Sequence, residues 1–238
     1  MQTFTWWDSE DIAVLDEHVA NWRLSFPDHR VLGPAEAREA LSLLDHDAVS
    51  LFDRIRIPAC RSDLARLALL FRDGGLYVDA HCRVDDASAV IERFEQLDAA
   101  EIIVTTRWAP HYRKVMPHNS FIWARPNSGV IRLLLEVALE RVGTQAALEA
   151  EIGFLPYHVW SLSGPGVFWD MLFDTDAHDG QLLPPWVGRV EAFREETQPI
   201  TRHIFTQYRG PGTHWSERQK HEVLFESAAP LADPTPAH

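Results

Sequence analysis

The sequence predicts an α/β protein with a mixed, mostly parallel sheet flanked by helices. First, short runs of β-forming residues alternate with amphipathic helical segments, which favours a sheet covered by helices. Second, 238 residues can bury a core without disulfide bonds or structural metal. Third, neither an internal repeat nor a Gly/Ser-rich or Pro-rich linker divides the interior. We therefore predict one domain over residues 1–226 and a disordered tail at 227–238, which is proline-rich and without periodicity.

The amino-terminal part of the chain is predicted to contain three helices and three strands. Proline and glycine set most of their limits, because Pro27 stops the first helix, Pro34 suits the first turn of the second, and Gly74-Gly75 stops the third. The predicted elements are a strand at 4–7, a helix that Asp8 caps and that carries Ile12, Leu15, Val19 and Trp22 on one face, a strand at 29–32, a helix at 34–44, a helix at 58–74 and a strand at 76–80.

The following part adds two helices and two strands. They are a helix at 90–97, strands at 101–106 and 119–124, and a helix at 128–142. In sheets of this kind, ligands sit beyond the carboxyl ends of the strands. Asp79 falls at such an end, so we expect the functional site there.

Composition and charge exclude several classes of function. A hydrophobic fraction of 46% and a charged fraction of 24% are typical of soluble globular proteins. No apolar run reaches the roughly 18 residues of a membrane-spanning helix, and no basic leader segment opens the chain, so we expect a cytoplasmic protein without a transmembrane segment. A net charge of −13 opposes binding to nucleic acid. Cys60 and Cys82 lack the spacing of a zinc site and are expected to be reduced thiols.

The most informative stretch runs from 61 to 81. Asp63 and Arg66 are three positions apart on the predicted helix, so they share a face and can point at one ligand. After the Gly-Gly turn, Asp79 and His81 are two positions apart and lie on the same side if the strand geometry continues. We therefore expect these four polar side chains to converge.

Each of these residues also has a structural interpretation. Asp63 and Arg66 could form a solvated ion pair, and Asp79 could cap the turn that follows it. Trp6 and Trp7 could belong to the core, and Gly164 could simply precede a helix that begins with proline. A single histidine such as His214 is more often structural or exposed than a metal ligand.

The stretch resembles the DXD-motif glycosyltransferases that include the Och1-like mannosyltransferases and the capsular-polysaccharide enzymes, the family 32-like group. The pattern of that family is S-D-x-x-R-x-x-x-L-x-x-x-G-G-x-Y-x-D-x-D. The residues in register are Ser62, Asp63, Arg66, Leu70, Gly74, Gly75, Tyr77 and Asp79. Weaker similarities are found at Trp6-Trp7, at Trp22 with Pro27, in the run from Asn119 to Ala124, at Gly164-Pro165 and at His214-Trp215.

The resemblance implies a GT-A fold and the transfer of a hexose from a nucleotide-diphosphate sugar to an acceptor hydroxyl, with retention of configuration. UDP-hexose is the favoured donor and GDP-mannose the second, while a glycan or lipid-linked saccharide is the expected acceptor. The implied catalytic residues are Asp79, Asp63 and Arg66. The implied donor-binding residues are Trp6, Trp7, Ser62, Asp63, Arg66, Gly75, Tyr77, Asp79, Asn119 and Gly164.

The sequence departs from the family at His81, where the pattern has its second aspartate. The family carboxylate binds a divalent cation, Mn²⁺ or Mg²⁺, and the corresponding ligand set here is Asp79, His81 and His214. Imidazole suits Mn²⁺ better than Mg²⁺, which prefers oxygen ligands. His81 could ligate Mn²⁺, or it could replace the metal by donating a hydrogen bond or charge to the diphosphate. In a third case catalysis is lost.

Two other functions follow from these alternatives. If catalysis is lost, the chain is a non-catalytic nucleotide-sugar or carbohydrate-binding protein with a degenerate DXD motif. A metallohydrolase built on the 12 histidines is the weaker hypothesis, because the sequence has no HExxH motif.

Overall fold

The computed structural model describes residues 1–9, 11–95, 100–202 and 214–226. Within these ranges the strands are β1 Thr3–Trp6, β2 Arg30–Leu32, β3 Gly75–Val78, β4 Cys82–Val84, β5 Ile102–Ala109, β6 Lys114–Ala124, β7 Val190–Arg194 and β8 Ile200–Arg202. The α-helices are α1 Asp16–Ser25, α2 Pro34–Ser42, α3 His46–Arg54, α4 Pro58–Asp73, α5 Ala87–Glu95, α6 Gly129–Ile152, α7 Val159–Leu162, α8 Pro165–Leu172 and α9 Trp215–Arg218. Short 3-10 helices span Ala13–Leu15, Pro184–Trp186 and Glu195–Thr197.

Six of these strands form one mixed sheet in the order β2-β1-β3-β6-β5-β7. The pairs β1–β2, β1–β3 and β5–β7 are parallel, whereas β3–β6 and β5–β6 are antiparallel. Strands β4 and β8 form a separate antiparallel pair. The predicted mixed, mostly parallel sheet flanked by helices is therefore confirmed.

Helix α4 is the centre of the larger core. It begins with Pro58 in its first turn and is buried along most of its length, between α2, α6 and the sheet. The alternation along β3 directs Tyr77 towards this core, while Leu76 and Val78 belong to a second cluster on the opposite face with Trp22. The sheet is thus covered on both faces.

The turn between α4 and β3 depends on its two glycines. Gly74 and Gly75 have φ angles of 65° and 95°, a region that favours glycine. A Cβ at Gly75 would lie 2.5 Å from the carbonyl oxygen of Gln2. A glycine is therefore required at position 75 because Gln2, just before β1, comes so close. This requirement explains Gly75 without the predicted contact with a donor.

Several predicted boundaries differ from the structure. Helix α1 begins at Asp16 rather than after Asp8, and Ile12 is exposed; Asp8 forms an ion pair with Arg61 and does not cap the helix. Helix α3 was not predicted, and α6 continues to Ile152, ten residues beyond the predicted end. A helix that begins with proline after Gly164 is present as α8, whereas β7, β8, α7 and α9 were not predicted.

Two expectations concern parts of the chain outside the described residues. The disordered tail at 227–238 lies outside them, as do the last two residues of the helix predicted at 90–97. Among the helices that the structure describes, none is both long and apolar enough to cross a membrane.

Candidate functional site

Asp79 directly follows β3, a central strand of the large sheet. Its backbone N–H donates to the carbonyl of Ser120 at 2.7 Å, and its own carbonyl accepts from the N–H of Cys82 at 2.9 Å. Its side chain accepts a hydrogen bond from the hydroxyl of Tyr77, at 2.6 Å to Oδ1. The carboxylate is therefore oriented by Tyr77 rather than used to cap the following turn.

Arg66 lies between two carboxylates. Its Nη2 is 3.2 Å from Oδ1 of Asp63, and its Nη1 is 3.3 Å from Oδ1 of Asp79. Although burial lowers the pKa of Arg66, Asp79, Tyr77 and Asp63 outweigh that effect and raise it. Asp63 and Arg66 are only 6% and 5% exposed. The interpretation of this pair as a solvated surface ion pair is therefore wrong.

Asp63 is enclosed by hydrogen-bond donors. Asn119 donates to Oδ1 at 2.9 Å, and Ser163 donates to Oδ2 at 3.0 Å. Burial raises the pKa of Asp63 to about 6, against the opposing effects of Arg66 and these two donors. Both carboxylate oxygens of Asp63 bind partners within the protein. In this geometry Asp63 orients Arg66 through their ion pair.

Gly164 and Asn119, which the resemblance implies as donor-binding residues, lie close to Asp63. A Cβ on Gly164 would lie 3.1 Å from Cα of Trp160 and 3.3 Å from Oδ2 of Asp63. The side chain of Asn119 is buried and donates to Asp63. Asn119 therefore hydrogen-bonds the buried carboxylate of Asp63, and Gly164 packs closely against it.

Ser62 and Tyr77 complete the support of Arg66. Oγ of Ser62 accepts from Nη2 of Arg66 at 2.9 Å and lies 3.3 Å from the Tyr77 hydroxyl. The guanidinium lies over the Tyr77 ring, 4.7 Å from its centroid. Burial raises the pKa of Tyr77 well above its ordinary value, so its hydroxyl stays a donor towards Asp79. Above this buried set, the Asp79 side chain is 18% exposed.

Two imidazoles lie beside Asp79. Nδ1 of His81 is 3.9 Å from Oδ2 of Asp79, and its Nε2 is 3.4 Å from Oγ of Ser120. Nε2 of His118 is 3.4 Å from the same hydroxyl and 3.3 Å from Nη1 of Arg202. The convergence of His81 with Asp79 was predicted from the sequence.

His118 and Arg202 were missed in the sequence analysis. Burial, together with Arg202, Arg107, His81 and Arg66, lowers the pKa of His118 well below its ordinary value, so this imidazole is neutral at pH 7. The available signal was that His118 directly precedes Asn119 and shares a strand face with Ser120. Arg202 had no such signal, because it comes from a distant strand.

The fit of a divalent cation to these residues is partial. Across residues 1–9, 11–95, 100–202 and 214–226 there is no group of three or more His, Cys, Asp and Glu side chains that could hold a metal ion. Asp79 and His81 offer one carboxylate oxygen and one imidazole. His214 instead lies at the start of α9, where its Nδ1 accepts from the backbone N–H of Ser216. The three-residue ligand set expected from the sequence is therefore not assembled by the described residues, and a bound substrate would have to supply the other ligands.

The two adjacent tryptophans have different environments. Trp6 is 4% exposed and packs edge-on against Phe52 in the core. Its predicted contact with a donor is therefore not supported, because the sheet directs this ring inward. Trp7 is partly exposed, and its indole N–H donates to the carbonyl of Asp11 at 3.1 Å. Of the two, only Trp7 is available to a ligand.

An ion pair that the sequence did not indicate lies at the same edge. Nη1 of Arg61 is 2.8 Å from Oδ1 of Asp8, and both side chains are mostly buried. Burial raises the pKa of Asp8, although Arg61 lowers it. The pair joins the end of β1 to the first turns of α4, next to Ser62.

No protein-family model matches this chain, and no curated protein matches it either. Its chain trace is similar to solved structures, among them the PaToxG glycosyltransferase, with 14% identity, a TM-score of 0.39, and coverage of 71% of this chain and 67% of that one. Another is the UDP-bound glycosyltransferase domain from the YGT toxin, with 12% identity and a TM-score of 0.38. In that comparison 79% of this chain is covered, and it spans 58% of the other chain.

Proposed function

We propose that this protein is a glycosyltransferase that moves a hexose from a nucleotide-diphosphate sugar to an acceptor hydroxyl, with retention of configuration. The observation that carries the proposal is the carboxylate of Asp79, which is partly exposed at the end of β3 while Arg66 and Tyr77 fix its orientation from the buried side. Ligands bind at this edge of α/β sheets. The register of the S-D-x-x-R and G-G-x-Y-x-D motifs supports a relationship with the Och1-like group.

Asp79 is the residue that contacts the donor. Its Oδ1 is engaged by Tyr77 and Arg66, whereas its Oδ2 is the oxygen nearest to His81. A carboxylate held in this way can accept hydrogen bonds from vicinal sugar or ribose hydroxyls without reorganising. Arg66 orients the Asp79 carboxylate from the buried side, and Asp63 orients Arg66. Neither residue needs to contact the sugar.

Cleavage of the anomeric bond leaves a nucleoside diphosphate, and the site must stabilise the charge that develops on it. Arg202, whose Nη1 lies 3.3 Å from Nε2 of His118, is the cationic side chain that we assign to this role. A divalent cation held by Asp79 and His81 would supply further neutralisation of the diphosphate when bound. Because the leaving phosphate can assist the acceptor in a retaining reaction, no separate general base is required.

UDP-hexose is the proposed donor, with GDP-mannose second. A thermal-shift panel of UDP-, GDP- and dTDP-sugars with Mn²⁺, with Mg²⁺ or with EDTA tests binding, since a ligand of the native state raises its stability. Release of the nucleoside diphosphate, followed by chromatography, tests turnover. We expect a donor that both binds and is slowly hydrolysed. Absence of binding by every sugar nucleotide overturns the proposal.

A non-catalytic sugar-nucleotide-binding protein is the second candidate. It is favoured by the incomplete set of metal ligands in the described residues, in which His81 stands where the family has aspartate. Donor binding without release of the nucleoside diphosphate under any metal condition would select this candidate over the enzyme.

A further inference from the structure

A groove lies at the tip of the hairpin formed by β5 and β6. Its volume is about 430 Å³. The residues that line it are Arg107, Trp108, Ala109, Pro110, His111, Tyr112, Glu195, Glu196 and Arg202. We name this surface the hairpin groove.

The hairpin extends past the end of β3 on the side where Asp79 lies. Phe121 pairs with Val78 at the end of β3, and β6 runs outward from there to Lys114, which corresponds to roughly 20 Å of strand at about 3.3 Å per residue. The groove is connected to the site by Arg202, which lines the groove and also contacts His118. Arg202 therefore lies both in the hairpin groove and beside His118 at the edge of the proposed donor site.

Two aromatic side chains are unusually exposed in this groove. Trp108 is 49% exposed and Tyr112 is 67% exposed, more than any other aromatic residue among those that the structure describes. The N–H of Tyr112 donates to the carbonyl of Ala109 at 3.1 Å, so a tight turn at the tip of the hairpin lies between the two residues. Exposed aromatic surface beside a polar groove is typical of a binding site.

The charges of the groove balance. Arg202 is paired with Glu195, with Nη2 3.0 Å from Oε2. Within the described part of the chain, the side chains of Arg107 and Glu196 form no ion pair and no hydrogen bond. The groove thus offers two arginines and two glutamates, and one of each has unused hydrogen-bonding capacity. This balance favours a neutral, hydroxyl-rich ligand over a polyanion or a basic peptide.

From these observations we propose that the hairpin groove binds a neutral saccharide chain, which is the acceptor of the transfer reaction. The apolar faces of its sugar rings lie on Trp108 and Tyr112, and its hydroxyls bond to Arg107 and Glu196. This inference rests on the proposed function, because it assigns the acceptor of that same reaction. It selects a glycan rather than a protein surface as the acceptor.

The test uses the full chain and an array of immobilised neutral glycans, with bound protein measured by fluorescence. The variants are Trp108→Ala, Tyr112→Ala and Trp108→Phe, and the control is Phe154→Ala, which truncates an exposed aromatic side chain just beyond the end of α6. We expect the wild type to bind at least one glycan and each alanine variant in the groove to bind it at least tenfold more weakly. Trp108→Phe should recover most of the binding, and Phe154→Ala should bind as the wild type does.

Binding of the same panel of UDP-, GDP- and dTDP-sugars, measured by thermal shift on the same samples, separates this inference from the proposed function. Donor binding without retention of any glycan overturns the inference and leaves the proposed function standing. Glycan binding without any donor binding supports the groove and contradicts the proposed function. Equal glycan binding by the wild type and Trp108→Ala overturns the inference. Transfer from labelled donor to a protein but to no glycan also overturns it, in favour of a protein acceptor.

Discussion

Nη1 of Arg66 lies 3.3 Å from Oδ1 of Asp79, and this ion pair joins the core helix α4 to the residue that follows β3. The hydroxyl of Tyr77 donates to the same oxygen. The pair therefore leaves Oδ2 as the oxygen of Asp79 on the side of His81. The Asp79 carboxylate therefore takes part both in the buried ion pair and in the proposed donor site. Substitutions of Asp79 and Arg66 can separate the effect on turnover from the effect on stability.

Asp79→Asn should abolish sugar transfer. The amide keeps the size of the side chain but loses its charge and replaces one acceptor oxygen by an NH2 donor, so we expect a loss of about 100-fold or more in kcat/KM. Turnover is measured by release of the nucleoside diphosphate. Asp85→Asn, an exposed position beyond β4, is the matched control and should be fully active. Normal turnover by Asp79→Asn would exclude Asp79 from the reaction.

Arg66→Met should lower the free energy of unfolding of the protein. Its removal leaves Asp63 buried without its cation, and breaking a buried pair in this way costs about 3–5 kcal/mol. Urea denaturation followed by tryptophan fluorescence measures the change in the free energy of unfolding.

The control for Arg66 is Arg132→Met, which removes an exposed ion pair with Glu136 on α6. Such pairs contribute about 0.5 kcal/mol. A similar small effect at both positions would show that the Arg66 network contributes little to folding.

The sequence was sufficient to predict the convergence of Asp63, Arg66, Asp79 and His81. These residues lie on one helix and directly after one strand, and a tight Gly-Gly turn joins the two elements, so local geometry brings them together. The burial of Asp63 could not be predicted in this way, because Ser163 supplies one of its donors from a distant segment.

Strand pairing limited the remaining predictions. Which of Trp6 and Trp7 enters the core depends on how β1 pairs within the sheet, and the sequence alone does not give that pairing. The contact of His118 with Arg202 joins two strands that do not pair with each other. Sequence spacing carries no signal for such a contact.

The buried histidines His18 and His29 should make the protein sensitive to acid. Oγ1 of Thr5 lies 2.7 Å from Nε2 of His18, and Oγ1 of Thr3 lies 3.0 Å from Nδ1 of His29. Burial lowers the pKa of His18 from 6.5 to about 4 and that of His29 to about 3. Both imidazoles are therefore neutral in the folded protein at pH 6.

In the unfolded chain these imidazoles take up protons near pH 6.5. Between about pH 6.5 and about pH 4 the unfolded state then binds more protons than the folded state, so the free energy of unfolding falls as the pH falls. Asp63 acts in the opposite direction, because its pKa is raised to about 6 and its proton stabilises the folded state.

The contribution of His18 can be isolated with His18→Gln. Urea denaturation between pH 4 and pH 7 should give a smaller pH dependence of the free energy of unfolding for this variant than for the wild type. The exposed His46→Gln serves as the control and should keep the wild-type dependence. Identical pH profiles for His18→Gln and the wild type would contradict a neutral buried His18.

His81→Asp should broaden the use of divalent cations. If His81 contributes an imidazole ligand beside Asp79, the wild-type protein should work with Mn²⁺ and poorly with Mg²⁺, because Mg²⁺ prefers oxygen ligands. The aspartate restores two carboxylates, so Mg²⁺ should then support turnover at a rate near that with Mn²⁺. Release of the nucleoside diphosphate is measured with each metal and in EDTA, with His46→Asp at an exposed position outside both proposed sites as the control for added charge. If His81 instead donates directly to the diphosphate, the wild type should be fully active in EDTA, and His81→Asp should lose donor binding because it adds a second anion beside the phosphates.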